Sequence, residues 1–217
     1  MSAQSNDTLP TFRRSLGVLR QDGPTAFGLH AIQAAGIFRK LFVIGGWNAL
    51  MPERAQIDIR CGELDRSRIS EYLQLRMDQS EEVIEQRFDR KEACLVAYHQ
   101  DEIVGAGWCA THSAWIDYLG AELYLAEDTV YAYDSWVRPD FRGKRVADGM
   151  RRFRMHWIHE SGFKRAFGLI WPQNKNSMQR SRRMSRNDVG EIVRHKVGPW
   201  SRLSTRLHGE HADMCRF

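Results

Sequence analysis

The sequence is poor in cysteine and holds no pattern that would join cysteines to each other or to a metal. Its 217 residues contain four, Cys61, Cys94, Cys109 and Cys215. They are widely spaced and no two of them form a C-x-x-C pair, so neither a disulfide framework nor a zinc site is predicted. We therefore expect a reduced, cytoplasmic compartment and no metal.

The sequence also lacks a long apolar run. Its longest apolar stretch, residues 26–50, is interrupted by His30, Gln33, Arg39 and Lys40, so a membrane-spanning helix is not expected. Residues 1–9 lack a basic segment followed by an apolar core, and no secretory signal is predicted.

Acidic residues are outnumbered by basic ones. Lysine and arginine total 32 against 27 for aspartate and glutamate, and the net charge is +5. This excess suits an anionic partner such as a phosphate, a nucleotide or an acidic lipid. With 42% hydrophobic residues and 11% aromatics, the chain is predicted to fold as one domain with an appendage.

The appendage is predicted at residues 1–54. Apolar residues recur there at helical spacing from Phe12 to Phe42, with basic residues between them, which predicts two basic amphipathic helices broken at residues 22–24. Gly45, Gly46 and Pro52 then indicate a linker. Residues 10–42 would either pack on the main domain or lie on an anionic membrane surface. We favour packing, because residues 25–37 would otherwise expose a large apolar patch.

Beyond the linker, the periodicity of apolar residues alternates between strand and helix. Residues 93–98 and 103–110 predict an antiparallel hairpin joined by a short polar turn. The remaining predicted strands cover residues 56–61, 129–137, 166–171, 189–194 and 200–207. The predicted helices cover residues 67–77, 80–90, 146–162 and 174–184.

A basic segment with one glycine stands where the strand at residues 129–137 ends and a long helix begins. Residues 137–147 read V-R-P-D-F-R-G-K-R-V-A. The first N–H groups of a helix have no partner within the helix, so this junction can hold a pyrophosphate. Gly143 permits close approach, and Arg142, Lys144 and Arg145 supply charge. The same features also fit an ordinary solvated turn before a helix.

This segment resembles the acetyl-CoA-binding motif of the GNAT superfamily of N-acetyltransferases, usually V-x-P-x-x-[RQ]-G-x-G-x-[GA]. The match lies in Val137, Pro139, Arg142, Gly143 and Ala147. Arg145 departs from the motif, because the family usually has glycine there. Downstream, residues 174–177 read N-K-N-S and resemble the family's N-x-x-S at the start of the next helix.

The resemblance implies an α/β (α+β) fold with a mixed, mostly antiparallel twisted sheet flanked by helices. The acyltransferase domain would cover residues 55–207, between the N-terminal helical extension at 1–54 and a C-terminal tail at 208–217. It also implies that acetyl-CoA binds as the acyl donor, at Val137, Arg142, Gly143, Lys144, Arg145, Val146, Ala147, Asn174 and Ser177.

In proteins of this family the amine attacks the thioester carbon directly, so the protein supplies proximity, an oxyanion donor and a route for the amine's proton. The strand before the motif should line the reaction centre, and its candidate catalytic residues are Asp134, Tyr133 and Ser135. Asp134 would bind or deprotonate the amine, or else pair with Arg138 or a backbone group. Tyr133 would act through its hydroxyl, or else pack in the core. Ser181 stands where the family usually has the tyrosine that protonates the thiolate, so Tyr133 or a water would serve instead.

Further arginines follow the motif. We interpret Arg151, Arg152 and Arg154 as a solvated helix face rather than as contacts to the 3′-phosphate of CoA. A second cluster, at Arg180, Arg182, Arg183 and Arg186, would contact CoA, an anionic acceptor or nucleic acid, or else be solvated. His156 and His159 are interpreted as exposed helix residues.

The leading hypothesis is an N-acyltransferase that moves an acetyl group from acetyl-CoA to a primary amine of a small molecule or amino sugar. Transfer of a longer acyl chain is a second enzymatic hypothesis. A non-catalytic GNAT-like module for regulation or binding is a third, and it fits Arg145 and Ser181, which depart from the family pattern. Nucleic acid is not an expected partner, because no recognition helix or aromatic and basic platform is present. A homodimer is compatible with the sequence.

Overall fold

The computed structural model describes residues 37–45, 53–174, 177–179, 181 and 187–217. In chain order its strands are β1 (Phe38–Gly45), β2 (Arg60–Glu63), β3 (Ala93–His99), β4 (Glu102–Ala110), β5 (Ser113–Ile116), β6 (Ala121–Leu125), β7 (Thr129–Val137), β8 (Arg165–Ile170), β9 (Asn187–Val197), β10 (Trp200–Leu207) and β11 (Cys215–Arg216). Its α-helices are α1 (Ile69–Leu75), α2 (Glu81–Asp89) and α3 (Val146–Glu160), and residues 177–179 and 181 are also helical. None of the helices within these ranges is both long and apolar enough to cross a membrane.

The strands form two sheets. The larger has the order β10-β9-β1-β8-β7-β4-β3-β2, and the smaller has the order β11-β6-β5. Among the strand pairs of the described residues, β7 and β8 run parallel and the others run antiparallel. The predicted mixed, mostly antiparallel sheet flanked by helices is therefore confirmed.

Local sequence signals account for the helix α2 and for the hairpin. Ser80 precedes α2 in an extended conformation, and its side chain accepts a hydrogen bond from the Val83 N–H. The hairpin of β3 and β4 turns through Gln100 and Asp101, whose φ angles of 49° and 64° suit a two-residue turn of the type that matches strand twist. Both predictions, the helix and the hairpin, are confirmed.

Helix α3 packs on one face of the large sheet, and two glycines of β4 make room for it. A Cβ atom at Gly105 would lie 2.6 Å from the sulfur of Met150, and one at Gly107 would lie 2.5 Å from Nη2 of Arg154. Val146, Met150 and Ile158 are buried on this face of the helix. The apolar residues that recur at helical spacing in residues 146–158 thus form the helix face that covers the sheet.

The opposite face is covered by α1, α2 and the small sheet. Trp108 and Tyr72 are fully buried there, and the Trp108 indole donates a hydrogen bond to the Tyr72 hydroxyl at 3.0 Å. Strands β5 and β6 were not predicted from the sequence. The segment interpreted as a tail, residues 208–217, includes β11, which pairs with β6, and Met214 is fully buried.

The largest difference from the sequence-based prediction lies at β1. Residues 38–45 form a strand between β8 and β9, so the helical extension predicted for residues 1–54 is wrong for these residues. Leu41, Val43 and Ile44 are buried at 2% exposure or less. In a strand that is buried on both faces, apolar and polar residues do not alternate. The apolar residues of such a strand can then fall at helical spacing, as they do here. Residues 1–36 and 46–52 of the predicted extension lie outside the described residues.

Candidate functional site

A cleft opens where β8 changes partner. The first half of β8 pairs with β7, joining Thr129 to Arg165, Val130 to Ala166 and Tyr131 to Phe167. The second half, residues 168–170, pairs instead with β1. Beyond Tyr131, β7 continues to pair with β4, whereas β8 pairs with β1. The two parallel strands therefore diverge.

The cleft between the diverging strands has a volume of about 930 Å³. It is lined by β7, by the second half of β8, by the start of α3 and by the helical segment near residue 177. Of the residues predicted from the sequence, those that line it are Tyr133, Asp134, Ser135, Val137, Arg142, Gly143, Arg145, Val146, Ala147 and Ser177. Lys144 and Asn174 are not among the lining residues.

The loop at the rim of the cleft leads directly into α3. Gly143 has a φ of +81° with open space around its Cβ position, and Arg145 precedes the helix in the left-handed conformation. The carbonyl of Lys144 accepts a hydrogen bond from the Gln56 N–H at 3.0 Å, and Arg145 forms an ion pair with Glu53. These two contacts hold the loop in place, while the first amides of α3 lack partners within the helix.

The arginine of the motif is held close to β7. Its Nε donates a hydrogen bond to the Val137 carbonyl at 3.2 Å, and the guanidinium lies 5.6 Å from the centre of the Trp136 ring. Arg142 itself is exposed. Its guanidinium therefore provides positive charge at the mouth of the cleft.

Asn174 caps the next helical segment. Its side-chain oxygen accepts a hydrogen bond from the Ser177 N–H at 3.1 Å. Ser177 is half-buried and lines the cleft. Of the two residues that define the N-x-x-S pattern, Ser177 lies in the cleft and Asn174 holds it there through this hydrogen bond.

Asp134 is tied to two arginines of the helical layer. One carboxylate oxygen accepts from Nη1 of Arg76 at 2.6 Å, and the other accepts from Nη1 of Arg87 at 3.0 Å. The pairing with Arg138 considered from the sequence is not found, since Arg138 pairs with Glu102 and Asp140. Asp134 also has a φ of +47°, at the irregular register where β7 carries an extra residue opposite β4.

Tyr133 reaches the cleft and a buried carboxylate at the same time. Its hydroxyl donates a hydrogen bond to Glu92, which is 2% exposed and also accepts from Nε of Arg90 at 2.8 Å. Burial raises the pKa of Tyr133 well above its ordinary value, because the phenolate would be desolvated. Tyr133 thus stays protonated at neutral pH.

Ser135 and two arginines of α3 lie on the other face of the sheet. Nη2 of Arg154 donates a hydrogen bond to the Ser135 hydroxyl at 2.8 Å. Arg151 and Arg154 are each 6% exposed and line the cleft, so their interpretation as a solvated helix face is wrong. Arg152, in contrast, is half-buried and does not line the cleft.

The remaining sequence candidates have simpler settings. Ser181 is buried and lines the cleft. His156 is exposed and lies 3.1 Å from Glu160 on the same helix. Within the described ranges, no three histidine, cysteine or acidic side chains come together as a metal site would require. Arg180, Arg182, Arg183 and Arg186 lie outside the described residues.

Arg76, Arg87 and Glu92 were not predicted from the sequence as neighbours of Asp134 and Tyr133. A signal was present for Arg87, because it follows the buried Ile84 by three residues and so shares its helix face. Glu92 stands immediately before β3, where no periodicity distinguishes a buried carboxylate from a solvated one. Their roles depend on contacts more than 40 residues apart in sequence.

Residues 61–183, more than half of the chain, match the sequence profile described as the acetyltransferase (GNAT) family. The aminoglycoside acetyltransferase AAC(6')-Iy, solved with a CoA bisubstrate analogue, is 13% identical with a TM-score of 0.48, covering 59% of this chain and 90% of its own. A putative GNAT acetyltransferase from Novosphingobium aromaticivorans is 9% identical with a TM-score of 0.51, covering 72% and 62%. AAC(6')-Ih from Acinetobacter baumannii is 14% identical with a TM-score of 0.46, covering 59% and 90%. No curated protein matches the chain.

Proposed function

Because the chain belongs to the acetyltransferase (GNAT) family, we propose that it transfers an acetyl group from acetyl-CoA to a primary amine of a small molecule or amino sugar. The observation that carries this proposal is the cleft of about 930 Å³ between the diverging strands β7 and β8. The start of α3 and the loop around Gly143 stand at its rim. The cleft is large enough for an elongated ligand that enters between the strands.

The residues at the rim fit the diphosphate of CoA. Gly143 leaves open space for a close approach, and the first amides of α3 present a partial positive charge. The proposed binding residues are Val137, Arg142, Gly143, Lys144, Arg145, Val146, Ala147, Asn174 and Ser177. Lys144 and Asn174 would act from outside the cleft, through charge and through the cap on Ser177. When bound, acetyl-CoA supplies a thioester carbonyl that an amine can attack.

Backbone groups of β7 are suited to hold the acyl part of the donor. Among the described residues, no strand pairs with the β8-facing edge of β7 after Tyr131. Its N–H groups there are available as fixed donors, and fixed donors stabilise an oxyanion without reorganisation. The Ser135 hydroxyl accepts from Arg154, so its own proton is free to be donated in the same region.

Tyr133 and Glu92 offer a route for the proton of the attacking amine. As the amine proton passes to the Tyr133 oxygen, the phenolic proton passes along its hydrogen bond to the Glu92 carboxylate. Tyr133 would then be the group that contacts the substrate, and Glu92 the buried acceptor behind it. Both oxygens of Asp134 accept from arginines, which supports a role for Asp134 in positioning rather than in taking up this proton.

The proposal is tested first by CoA binding. Gly143→Asp places a carboxylate where the diphosphate would lie, and calorimetry should show at least about a tenfold loss of CoA affinity. Gly162→Asp is the matched control, because Gly162 has the same φ of +81° and open space at the far end of α3. Equal CoA affinities for Gly143→Asp and the parent protein would overturn the assignment of the loop.

Catalysis is tested by the release of free CoA with acetyl-CoA and a panel of primary amines. Tyr133→Phe should lower kcat at least about tenfold while CoA affinity stays unchanged. Asp134→Asn should reduce turnover more than CoA affinity, and should also lower stability because Arg76 and Arg87 lose their shared anion. CoA binding without acetyl transfer to any amine would instead support the non-catalytic hypothesis.

A further inference from the structure

We propose that the tip of the ribbon formed by β1, β9 and β10 binds the surface of an anionic lipid membrane. This ribbon tip consists of five exposed residues, Ile37, Lys196, Val197, Trp200 and Arg202. The inference is independent of acetyl transfer, because the cleft is lined by other residues. Residues 10–42 were considered for a membrane contact from the sequence, and Ile37 is the one residue that the ribbon tip shares with them.

Strand pairing brings the three apolar residues of the ribbon tip together. Val197 lies directly opposite Trp200, so both side chains are on the same face of the hairpin. The carbonyl of Ile37 accepts a hydrogen bond from the Lys196 N–H at 2.8 Å, which places Ile37 beside this pair. The exposed fractions are 44% for Ile37, 71% for Val197 and 81% for Trp200. Single exposed apolar residues are ordinary, but three of the eight large ones in the described ranges meet at this corner.

The ribbon extends past the strand beside it. Phe42 of β1 pairs with Ile170, the last residue of β8, and Phe38 pairs with His195 of β9. Four residues separate Phe42 from Phe38, and two more separate His195 from Val197. At about 3.3 Å per residue, the ribbon tip therefore lies about 20 Å beyond the end of β8. A flat surface such as a bilayer can thus meet the tip before it meets β8.

The charge of the ribbon tip is positive. Residues 192–209 contain four lysines and arginines and no aspartate or glutamate. Lys196 and Arg202 are exposed, and neither forms an ion pair within the part of the chain that the structure describes. Glu191, the acidic residue that precedes this stretch, pairs with Lys40. The two cations beside the apolar residues are therefore available to an anionic surface.

The combination of apolar and cationic side chains favours a membrane over other partners. Tryptophan is enriched at the boundary between lipid headgroups and acyl chains, where its ring meets apolar groups and its N–H meets water. Lysine and arginine beside it are attracted to anionic headgroups. A nucleic acid would use the cations but would leave Val197 and Ile37 in water. A symmetric dimer through the tip would place Lys196 and Arg202 against their own copies, and like charges repel.

Cosedimentation of the full-length protein with lipid vesicles tests the proposal. One set of vesicles contains phosphatidylcholine alone, and the other contains phosphatidylcholine mixed with phosphatidylglycerol, which is anionic. We expect the protein to partition onto the anionic vesicles at least about tenfold more strongly. Raising the salt concentration to about 0.5 M should lower this binding at least about fivefold, because salt screens the charge of the headgroups.

Substitutions show whether the ribbon tip causes the binding. Trp200→Ser should lower the partition onto anionic vesicles at least about fivefold, and so should Lys196→Gln combined with Arg202→Gln. Trp200→Phe keeps an apolar ring and should retain most of the binding. Met77→Ser and Lys164→Gln are the matched controls and should bind as the parent protein does. Met77 is exposed between α1 and α2, and Lys164 is exposed immediately before β8, at the end of that strand remote from the tip.

Two results would overturn the proposal. In the first, the parent protein binds both kinds of vesicle equally or binds neither. In the second, the anionic vesicles are preferred but the variants of the ribbon tip bind them unchanged, which would assign the contact to another part of the chain. Thermal unfolding of each variant checks that the fold is retained.

The same variants identify another occupant if no vesicles bind. A dimer seen by size-exclusion chromatography and lost in Trp200→Ser would assign the ribbon tip to a second copy of the chain. Binding of DNA that is lost in Trp200→Ser would assign the ribbon tip to a nucleic acid. Either result would replace the lipid surface proposed here. Binding of CoA in the cleft is measured separately, so the proposed function does not depend on the outcome.

Discussion

The two halves of β8 differ in their neighbours, although they belong to one strand of six residues. Residues 165–167 pair in parallel with β7, and Ala166 and Phe167 are buried in the sheet. Residues 168–170 pair antiparallel with β1, and all three line the cleft. The sheet thus opens a cleft without leaving β8 unpaired, because β1 supports the half that diverges from β7.

Loss of β1 should have the largest effect on this arrangement. A chain that begins at Glu53 lacks the partner of residues 168–170 and loses the buried residues Leu41, Val43 and Ile44. We expect it to aggregate or to unfold without a cooperative transition, measured by circular dichroism and size-exclusion chromatography. Val43→Asp in the full-length chain, which buries a charge in the same strand, should have a similar result. A shortened chain that unfolds cooperatively and binds CoA would contradict this account of β1.

Phe167→Ala tests the half of β8 that pairs with β7. Phe167 is fully buried and its ring lies 5.3 Å from that of Tyr131. Removing a buried aromatic side chain should lower the free energy of unfolding by about 3–5 kcal/mol. Urea denaturation measures this change. A loss below about 1 kcal/mol would show that the core here relaxes around the cavity.

Gly168→Val tests the adjacent residue, in the half that diverges. A Cβ atom at Gly168 would lie 3.3 Å from the Ala132 carbonyl oxygen, and the longer side chain would occupy the cleft. We expect CoA affinity to fall at least about tenfold, while the free energy of unfolding falls by only about 1 kcal/mol. Calorimetry and urea denaturation on the same preparation measure both. Unchanged CoA affinity would place the ligand elsewhere.

The smallest effect is expected at the beginning of β8, where Arg165 pairs with Asp128 and Asp213. Hydrogen bonds from Arg165 lower the pKa of both carboxyl groups. Because the folded pKa values are lowered, the stabilisation is present above the ordinary aspartate pKa of about 4 and is lost as pH falls through the lowered values. Asp213 is exposed and Asp128 is half-buried, so solvent screens both ion pairs in part.

Arg165→Gln should therefore lower Tm at pH 7 by about 2 °C or less and should make Tm less dependent on pH below about 4. Differential scanning calorimetry across this pH range measures both quantities. An identical acid dependence in the variant and the parent protein would show that other carboxyl groups determine it.

The sequence was most informative where local signals and long-range packing agree. The hairpin of β3 and β4, the strand β7 and the helix α3 were predicted, because turn residues and periodicity mark them locally. It was least informative at β1, whose partners in β8 and β9 lie more than 100 residues away. The loop around Gly143 could be identified from its motif. The arginines that surround Asp134 could not, because their contacts arise only when α1 and α2 pack on the sheet.

The long separation between β1 and its partners has a consequence for how the protein is made. Residues 38–45 leave the ribosome more than 100 residues before β8 and β9, the strands between which they finally lie. At a synthesis rate of about 5–20 residues per second, β8 and β9 are made several seconds or more after β1, and the apolar side chains of β1 are unpaired during that time. Contacts between distant parts of a chain form slowly, because a long loop must close first. The strand that supports the cleft is thus paired only late in synthesis, and until then its apolar side chains are exposed to aggregation or to a chaperone.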